Sequence, residues 1–290
     1  MSHGAAFVDI AALRAHIGKL ASIPDAEMPV DDAERAVHAL LIALEEGAVR
    51  AAERDGDGRW RAVSWVKQGI LLGFRVGHVA DMSLGGKSSF RFFDKHLFPA
   101  QAIPQSQGVR IVPGGSTVRR GAYVARGVVC MPPMFINVGA WVGSGTMVDS
   151  HALVGSCAQI GERVHLSAAA QIGGVLEPVH AAPVVVEDDA FVGGNCGIYE
   201  GTVIRRRAVL AAGVILTRAT PVFDLARETV HRAPPDGVLE IPEGAVVVPG
   251  SRRITEGWGA GLGLSLQTPV IVKYRDAGTD ASLSLEQWLR

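Results

Sequence analysis

Aliphatic residues recur at every sixth position through the middle of the chain. A helix places like residues 3.6 apart and a strand 2.0 apart, so neither period explains this spacing. A six-residue unit fits a short strand followed by a corner, with three units closing one triangular coil of a parallel β-helix. The repeat positions are Val112, Val118, Val124, Cys130, Ile136, Val142, Val148, Val154, Ile160, Leu166, Ile172, Val186, Val192, Ile198, Ile204, Leu210, Leu216 and Val222.

A second inward row is expected two positions before each repeat position, because side chains alternate along a strand. Most residues there are small, for example Ala122, Ala140 and Ala158. The longer interval between Ile172 and Val186 indicates an insertion near 175–185, a loop that projects from a corner. The whole series predicts about six coils, a prism roughly 29 Å tall.

The flanking sequences predict an α+β cap and a small β/α tail. Asp31 is a candidate N-cap for the second helix, since Glu34 follows three residues later. The segment Asp55–Gly58 predicts a hairpin turn. Apolar spacing predicts helices at 8–20, 32–46, 65–75 and 283–289, and a strand at 265–275.

These elements divide the chain into a cap (1–108), a β-helix (109–250) and a tail (251–290). The fold class is therefore mainly β, with repeats that stack on one another as in other solenoids.

Composition removes several classes of function. A net charge of −1 and a pI near 6.8 predict no partner among nucleic acids and no binding to anionic membranes. The first twenty residues lack a continuous apolar run, so we expect neither a signal peptide nor a membrane span. Three cysteines, two of them at inward positions, predict small core residues of a cytoplasmic protein and no metal ligands.

Short motifs carry a resemblance to a known family. The chain is similar to tetrahydrodipicolinate N-succinyltransferases in GTMVD (145–149), VGSCAQIG (154–161), VHLS (164–167) and IGGVLEP (172–178), and also in WVKQGILLGFR (65–75), FFDK (92–95) and FINVGA (135–140). The resemblance implies a left-handed β-helix homotrimer with sites between subunits. It also implies transfer of succinyl from succinyl-CoA, as co-substrate, to the acceptor nitrogen in diaminopimelate and lysine biosynthesis. No permanently bound cofactor is implied.

Two residues carry the expected chemistry. An amine that attacks a thioester must lose a proton, so it needs a nearby acceptor. The resemblance assigns this catalytic and substrate-binding role to Asp149, which follows Val148 and is expected to face outward. It also implies that Arg110 binds one carboxylate of the dicarboxylic acceptor. Arginine suits this role because its planar guanidinium can donate two parallel hydrogen bonds to a carboxylate.

The chain departs from the family at one position. Relatives carry a second important glutamate in the coil after the insertion, where this chain has Gly197. Catalysis then rests on Asp149 and backbone donors, or Glu200 takes over the role from a shifted place. Arg218 and Lys273 are the candidates for the phosphates of CoA.

Other functions stay open at this point. Some hexapeptide acyltransferases use a histidine base, and His165 is expected to face outward, although we favour a structural or supporting role. The alternatives are therefore an acetyl-CoA-dependent or histidine-dependent acyltransferase acting on a related amine, or a non-catalytic trimeric scaffold.

Overall fold

The computed structural model describes residues 9–83, 90–235 and 237–279. Three helices lie before the repeats, and a short one follows them. They are α1 (Ile10–Ala21), α2 (Val30–Glu45), α3 (Ser64–Val76) and α4 (Gly257–Gly261).

Two antiparallel hairpins accompany the cap helices, β1 (Ala52–Arg54) with β2 (Trp60–Ala62) and β3 (Val79–Asp81) with β4 (Phe93–Lys95). The predicted hairpin is thus confirmed. The second helix begins at Val30 with Pro29 as its N-cap, so the assignment of Asp31 as the cap was wrong. Asp31 lies in the first turn, where a carboxylate complements the helix dipole.

The repeats form short strands. They are β5 (Arg110–Ile111), β6 (Thr117–Val118), β7 (Tyr123–Val124), β8 (Val129–Cys130), β9 (Phe135–Ile136), β10 (Trp141–Val142), β11 (Met147–Val148), β12 (Leu153–Val154), β13 (Gln159–Ile160), β14 (His165–Leu166), β15 (Gln171–Ile172), β16 (Val185–Val186), β17 (Phe191–Val192), β18 (Gly197–Ile198), β19 (Val203–Ile204), β20 (Val209–Leu210) and β21 (Ile215–Leu216).

The last strands are less regular. They are β22 (Val222–Asp224), β23 (Thr229–His231), β24 (Glu240–Ile241), β25 (Ala245–Arg253) and β26 (Ser265–Tyr274). The strand expected at 265–275 is therefore confirmed, whereas the helix expected at Leu283–Leu289 lies outside the described residues.

Parallel pairing stacks the repeats into three faces. We name each face by one outward residue. The His165 face contains β5, β8, β11, β14, β17, β20 and β25; the Gln171 face contains β6, β9, β12, β15, β18 and β21; and the Gln159 face contains β7, β10, β13, β16, β19 and β24. The predicted parallel β-helix of about six coils is confirmed.

The corners are likewise named by a residue with positive φ or a functional side chain. The Asp149 corner joins the His165 face to the Gln171 face. The Cys157 corner joins the Gln171 face to the Gln159 face, and the predicted insertion leaves from it between β15 and β16.

Register corrects the repeat at both ends. Ile111 pairs with Cys130, so the first repeat position is Ile111 and not Val112; an extra residue is absorbed at the glycines that follow Pro113. At the other end, Val222 belongs to an antiparallel hairpin with β23, and Ile241 takes the next coil position above Ile204. Residues 217–239 are thus an excursion from the coils.

The interior holds both predicted inward rows. Repeat positions such as Val148 and Leu166 are fully buried, as are the preceding small residues Ala158 and Ala170. Cys157 is buried against the cap, and burial raises the pKa of its thiol to about 12. Cys130 and Cys196 are buried as well, so all three cysteines are core residues, as expected.

The cap packs on the Cys157 corner. Val138 and Cys157 belong to the same apolar core as the three cap helices. Lys67 of α3 is buried and donates to the carbonyl of Ala181 in the insertion, and burial lowers the pKa of Lys67. The cap thus holds the root of the insertion in place.

Close stacking at the insertion predicts the effect of Gly155→Ala. A β-carbon at residue 155 would lie 2.2 Å from the Gly174 nitrogen, so the backbone must shift. We expect the free energy of unfolding to fall by about 1–3 kcal/mol in urea titrations. Gly18→Ala is the control, because helix α1 leaves open space there and alanine favours helix by up to about 1 kcal/mol. Equal stability of the two variants would contradict this account.

The excursion 217–239 is tied to β26 through a buried carboxylate. Asp224 Oδ2 accepts a hydrogen bond from Tyr274 Oη at 2.6 Å and lies 3.1 Å from His231 Nε2. Burial and the bond to Asp224 together raise the pKa of Tyr274 to about 12. The protonated phenol therefore stabilises the folded chain.

This raised pKa predicts an alkaline dependence of stability. The contribution is complete below pH 10, where the unfolded phenol titrates, and is lost as pH rises through about 12. Tyr274→Phe should therefore lower the melting temperature at pH 8, and the difference from wild type should shrink between pH 10 and 12. Tyr123→Phe serves as the control; a difference that stays constant with pH would argue against the bond.

Candidate functional site

Asp149 lies where the His165 face turns into the Gln171 face. Its backbone N–H donates to Leu166 O in the next coil, which fixes the position of the residue. Val148 beside it is fully buried, so Asp149 itself points away from the core, as predicted. Its side chain is 28% exposed.

The two oxygens of Asp149 differ in their surroundings. Oδ1 accepts a hydrogen bond from Ser150 N at 2.7 Å. Oδ2 lies 3.8 Å from His165 Nε2, which is too long for a hydrogen bond but within the range of an ion pair when the imidazole is protonated. One oxygen therefore orients the carboxylate, and the other is placed beside an imidazole.

His165 occupies the outward row of its face. It pairs in register with Met147 below and Phe191 above, and its ring lies 5.0 Å from that of Phe191. Its side chain is only 12% exposed. Packing between Met147 and Phe191 restricts the ring, so the imidazole is held beside Asp149.

Arg110 and Lys273 share this outward row. Arg110 pairs with Val129, which in turn pairs with Met147. Arg110 thus lies two strands below Met147, about 10 Å away from it along the prism. Lys273 pairs with Val246 at the other end and forms an ion pair with Asp276 at 3.1 Å. The structure brings Arg110 onto the same face as His165, whereas Lys273 lies several strands away.

Glu200 and Arg218 lie elsewhere, after the strands of the Gln171 face and at the opposite end of that face from Asp149. Glu200 Oε2 accepts the backbone N–H of Arg218 at 2.9 Å. The guanidinium of Arg218 donates to Pro235 O. Within one chain these residues therefore form a corner contact separate from Asp149.

Two segments of the chain match family models. Residues 20–76 match the family model Tetrahydrodipicolinate N-succinyltransferase N-terminal, and residues 183–218 match Hexapeptide repeat of succinyl-transferase. The chain is 41% identical over 263 residues to the 2,3,4,5-tetrahydropyridine-2,6-dicarboxylate N-succinyltransferase of Polynucleobacter asymbioticus, covering 89% of this chain and 90% of the relative. The chain belongs to the tetrahydrodipicolinate N-succinyltransferase family.

Other members have comparable similarity. The Bradyrhizobium diazoefficiens 2,3,4,5-tetrahydropyridine-2,6-dicarboxylate N-succinyltransferase is 40% identical over 263 residues, with 89% and 90% of the two chains covered. A solved structure of a 2,3,4,5-tetrahydropyridine-2-carboxylate N-succinyltransferase from Campylobacter jejuni is 17% identical with a TM-score of 0.51. It covers 82% of this chain and 62% of that one, and it supports the fold alone.

The cap of this chain lines a cavity of about 480 Å³ against the Gln159 face, which the sequence did not predict. Arg50 lies 3.9 Å from the ring centroid of Trp141 and donates to Gln159 Oε1 at 3.0 Å. Burial lowers the pKa of Arg50 to about 10, against the opposing effects of Glu53 and Asp188. The arginine thereby holds the β1–β2 hairpin to the coils.

One cluster of possible metal ligands lies in the described part of the cap. Donor atoms of Glu34, His78 and His96 all lie within 4.8 Å of one another. However, His96 Nδ1 accepts the backbone N–H of His78, which leaves the proton of the neutral ring on Nε2, facing Glu34. This tautomer would have to change before Nε2 could bind a metal.

No helix among the described ranges of this succinyltransferase family member combines the length and apolar character that crossing a membrane requires.

Sequence reasoning also missed Tyr199, which lies over glycines of the Gln171 face. Gly197, a glycine at an outward strand position, was the available signal for it.

Proposed function

We propose that this protein transfers a succinyl group from succinyl-CoA to the nitrogen of a tetrahydropyridine-dicarboxylate acceptor, in diaminopimelate and lysine biosynthesis. Family membership at about 40% identity over most of the chain supports this class of reaction. The observation that carries the mechanism is the oriented carboxylate of Asp149, with one oxygen bound to Ser150 N and the other beside His165.

The reaction forms a C–N bond and breaks a C–S bond. The ring nitrogen of a 2,3,4,5-tetrahydropyridine is an imine nitrogen without a hydrogen, so water must first add across the C=N bond and leave an N–H. That nitrogen then attacks the thioester carbonyl carbon, and the CoA thiolate leaves and takes up a proton. Asp149 Oδ2 accepts the proton that the nitrogen loses, or aligns the N–H for its transfer. Succinyl-CoA is a co-substrate in this scheme.

Arg110 is proposed to hold a carboxylate of the acceptor. It lies on the same face as Asp149's neighbour His165, about 10 Å along the prism from Met147. We further propose a homotrimer, in which a second copy closes the cleft at the Asp149 corner. Glu200, Arg218 and Lys273 then act at the site only if a neighbouring copy supplies them, and their roles remain predictions, as does a cytoplasmic location.

One observation favours a second candidate. The 3.8 Å approach of His165 Nε2 to Asp149 Oδ2 resembles a base held by a carboxylate. A histidine-dependent acyltransferase would use the imidazole as the proton acceptor and Asp149 as its partner.

Donor choice tests the proposal. Release of CoA thiol should be at least tenfold faster, as kcat/KM, with succinyl-CoA than with acetyl-CoA in the presence of the acceptor. Equal or faster release with acetyl-CoA would reject succinyl transfer. Absence of turnover with either donor would favour a scaffold.

Asp149→Asn should lower kcat by about 10²–10⁴-fold, because the amide keeps the shape but cannot accept the proton. Asp188→Asn is the matched control, since Asp188 also caps a corner by accepting Glu162 N at 2.9 Å. His165→Gln separates the two candidates: a loss as large as that of Asp149→Asn would favour the histidine base.

Arg110→Lys should raise the KM for the acceptor about tenfold with little change in kcat, because lysine cannot bind a carboxylate through two parallel N–H groups. Arg126→Lys is the control, an exposed arginine that donates to Ser106 O. An unchanged KM would remove Arg110 from the acceptor site.

A further inference from the structure

Tyr199 lies across two glycines on the Gln171 face. A β-carbon built on Gly197 would lie 2.6 Å from Tyr199 Cε2 and 2.9 Å from its Oη. A β-carbon on Gly173 would lie 2.8 Å from Cδ1 of the same ring. Real β-carbons essentially never lie closer than 3.0 Å to another heavy atom, so the ring can lie there only because both residues are glycine.

This arrangement puts the phenol hydroxyl where the side chain of residue 197 would otherwise project. The resemblance to the family implies a glutamate at the position of Gly197. In this chain the outward space at residue 197 is occupied by the phenol of Tyr199, two residues further on. A phenol hydroxyl can donate a hydrogen bond.

The hydroxyl is available to a ligand. Tyr199 is half-buried, and its Oη takes part in no hydrogen bond within the described ranges. By contrast, the hydroxyl of Tyr274 is used to hold Asp224. The Tyr199 ring is thus fixed by packing, while its polar end remains open to solvent.

The outward residues of the Gln171 face carry no charged side chain; they are Thr117, Phe135, Leu153, Gln171, Gly197 and Ile215. A carboxylate bound there therefore needs a hydrogen-bond donor to offset its loss of hydration, and the Tyr199 hydroxyl is such a donor. Gln171, directly below Gly197, donates to His151 O at 3.2 Å, and His151 lies two residues after Asp149. The side chain of Gln171 and the backbone carbonyl of His151 therefore connect this face to the Asp149 corner.

We infer that the Tyr199 hydroxyl donates a hydrogen bond to a carboxylate of a bound substrate, at the place left open by Gly197. The inference rests on the proposed function, in which both the acceptor and the succinyl group carry carboxylates. The Tyr199 hydroxyl has no partner among the described residues, and the face around it carries no charged side chain, so it can bind the carboxylate. Glu200 is less well placed for this role, because its Oε2 already accepts the backbone N–H of Arg218.

The test is Tyr199→Phe, which keeps the ring over both glycines and removes only the oxygen. We expect the KM for one carboxylate substrate to rise about tenfold or more, with an unchanged melting temperature. A rise for succinyl-CoA, but not for acetyl-CoA, assigns the bond to the succinyl carboxylate. A rise for the acceptor with both donors assigns it to the acceptor.

Two outcomes would overturn the inference. One is KM values within twofold of wild type for every substrate. The other is a fall in kcat with both donors and no change in KM, which would place the hydroxyl at the reacting carbonyl instead. Tyr123→Phe is the control, since its ring stacks on Trp141 at 3.8 Å on a different face.

Gly197→Ala gives an independent readout. The added methyl must displace the Tyr199 ring, so it should reproduce the KM defect, and the double variant Gly197→Ala/Tyr199→Phe should be no worse than the single ones. Additive defects would show that the two residues act separately.

Equilibrium binding keeps the inference testable without turnover. Calorimetry with succinyl-CoA and with pyridine-2,6-dicarboxylate, a planar analogue of the acceptor, should show at least a tenfold weaker Kd in Tyr199→Phe for one of them. Kd values within twofold for both would reject the role of the hydroxyl. An inactive wild type that still shows this loss would count against the proposed reaction alone.

Discussion

The parallel hydrogen-bond ladder between successive coils is the constraint on which the structure depends. Met147 N donates to Val164 O and Asp149 N to Leu166 O, and the same pairing recurs up each face. Because the strands are parallel and in register, each side chain stacks on its counterpart in the next coil. The aliphatic residues at nearly all repeat positions then form one buried core, and the outward positions need not be apolar to maintain it.

Because outward positions need not be apolar, they can carry the side chains of a site. The outward row of the His165 face carries Arg110, Met147, His165 and Phe191 in fixed register, about 4.8 Å apart per strand. A corner residue such as Asp149 gains its position from the ladder on one side and from the Ser150 amide on the other. The carboxylate is therefore oriented before any substrate binds, and in the proposed reaction this reduces the entropy lost in reaching the reactive geometry.

The cap uses the same scaffold differently. Lys67 reaches the insertion at Ala181, and Arg50 lies over Trp141 with a hydrogen bond to Gln159. Glu187 accepts hydrogen bonds from Arg54, Trp60 and Arg205, and so joins the hairpin to the coils through a nearly buried carboxylate. Such buried charges are costly unless paired, so these contacts favour one relative placement of cap and coils. The insertion and the hairpin are thus held to the prism by polar contacts.

Local periodicity alone determined the β-helix, the cap helices, the insertion and the outward direction of Asp149, because each depends on residues only a few positions apart. The tertiary structure decided the rest. It moved the first repeat position from Val112 to Ile111, and it placed Val222 in a hairpin outside the coils. It also laid Tyr199 over Gly197 and Gly173. These features depend on which coil stacks on which and on how loops return to the prism, and a repeating sequence pattern is the same for every coil, so it cannot distinguish among them.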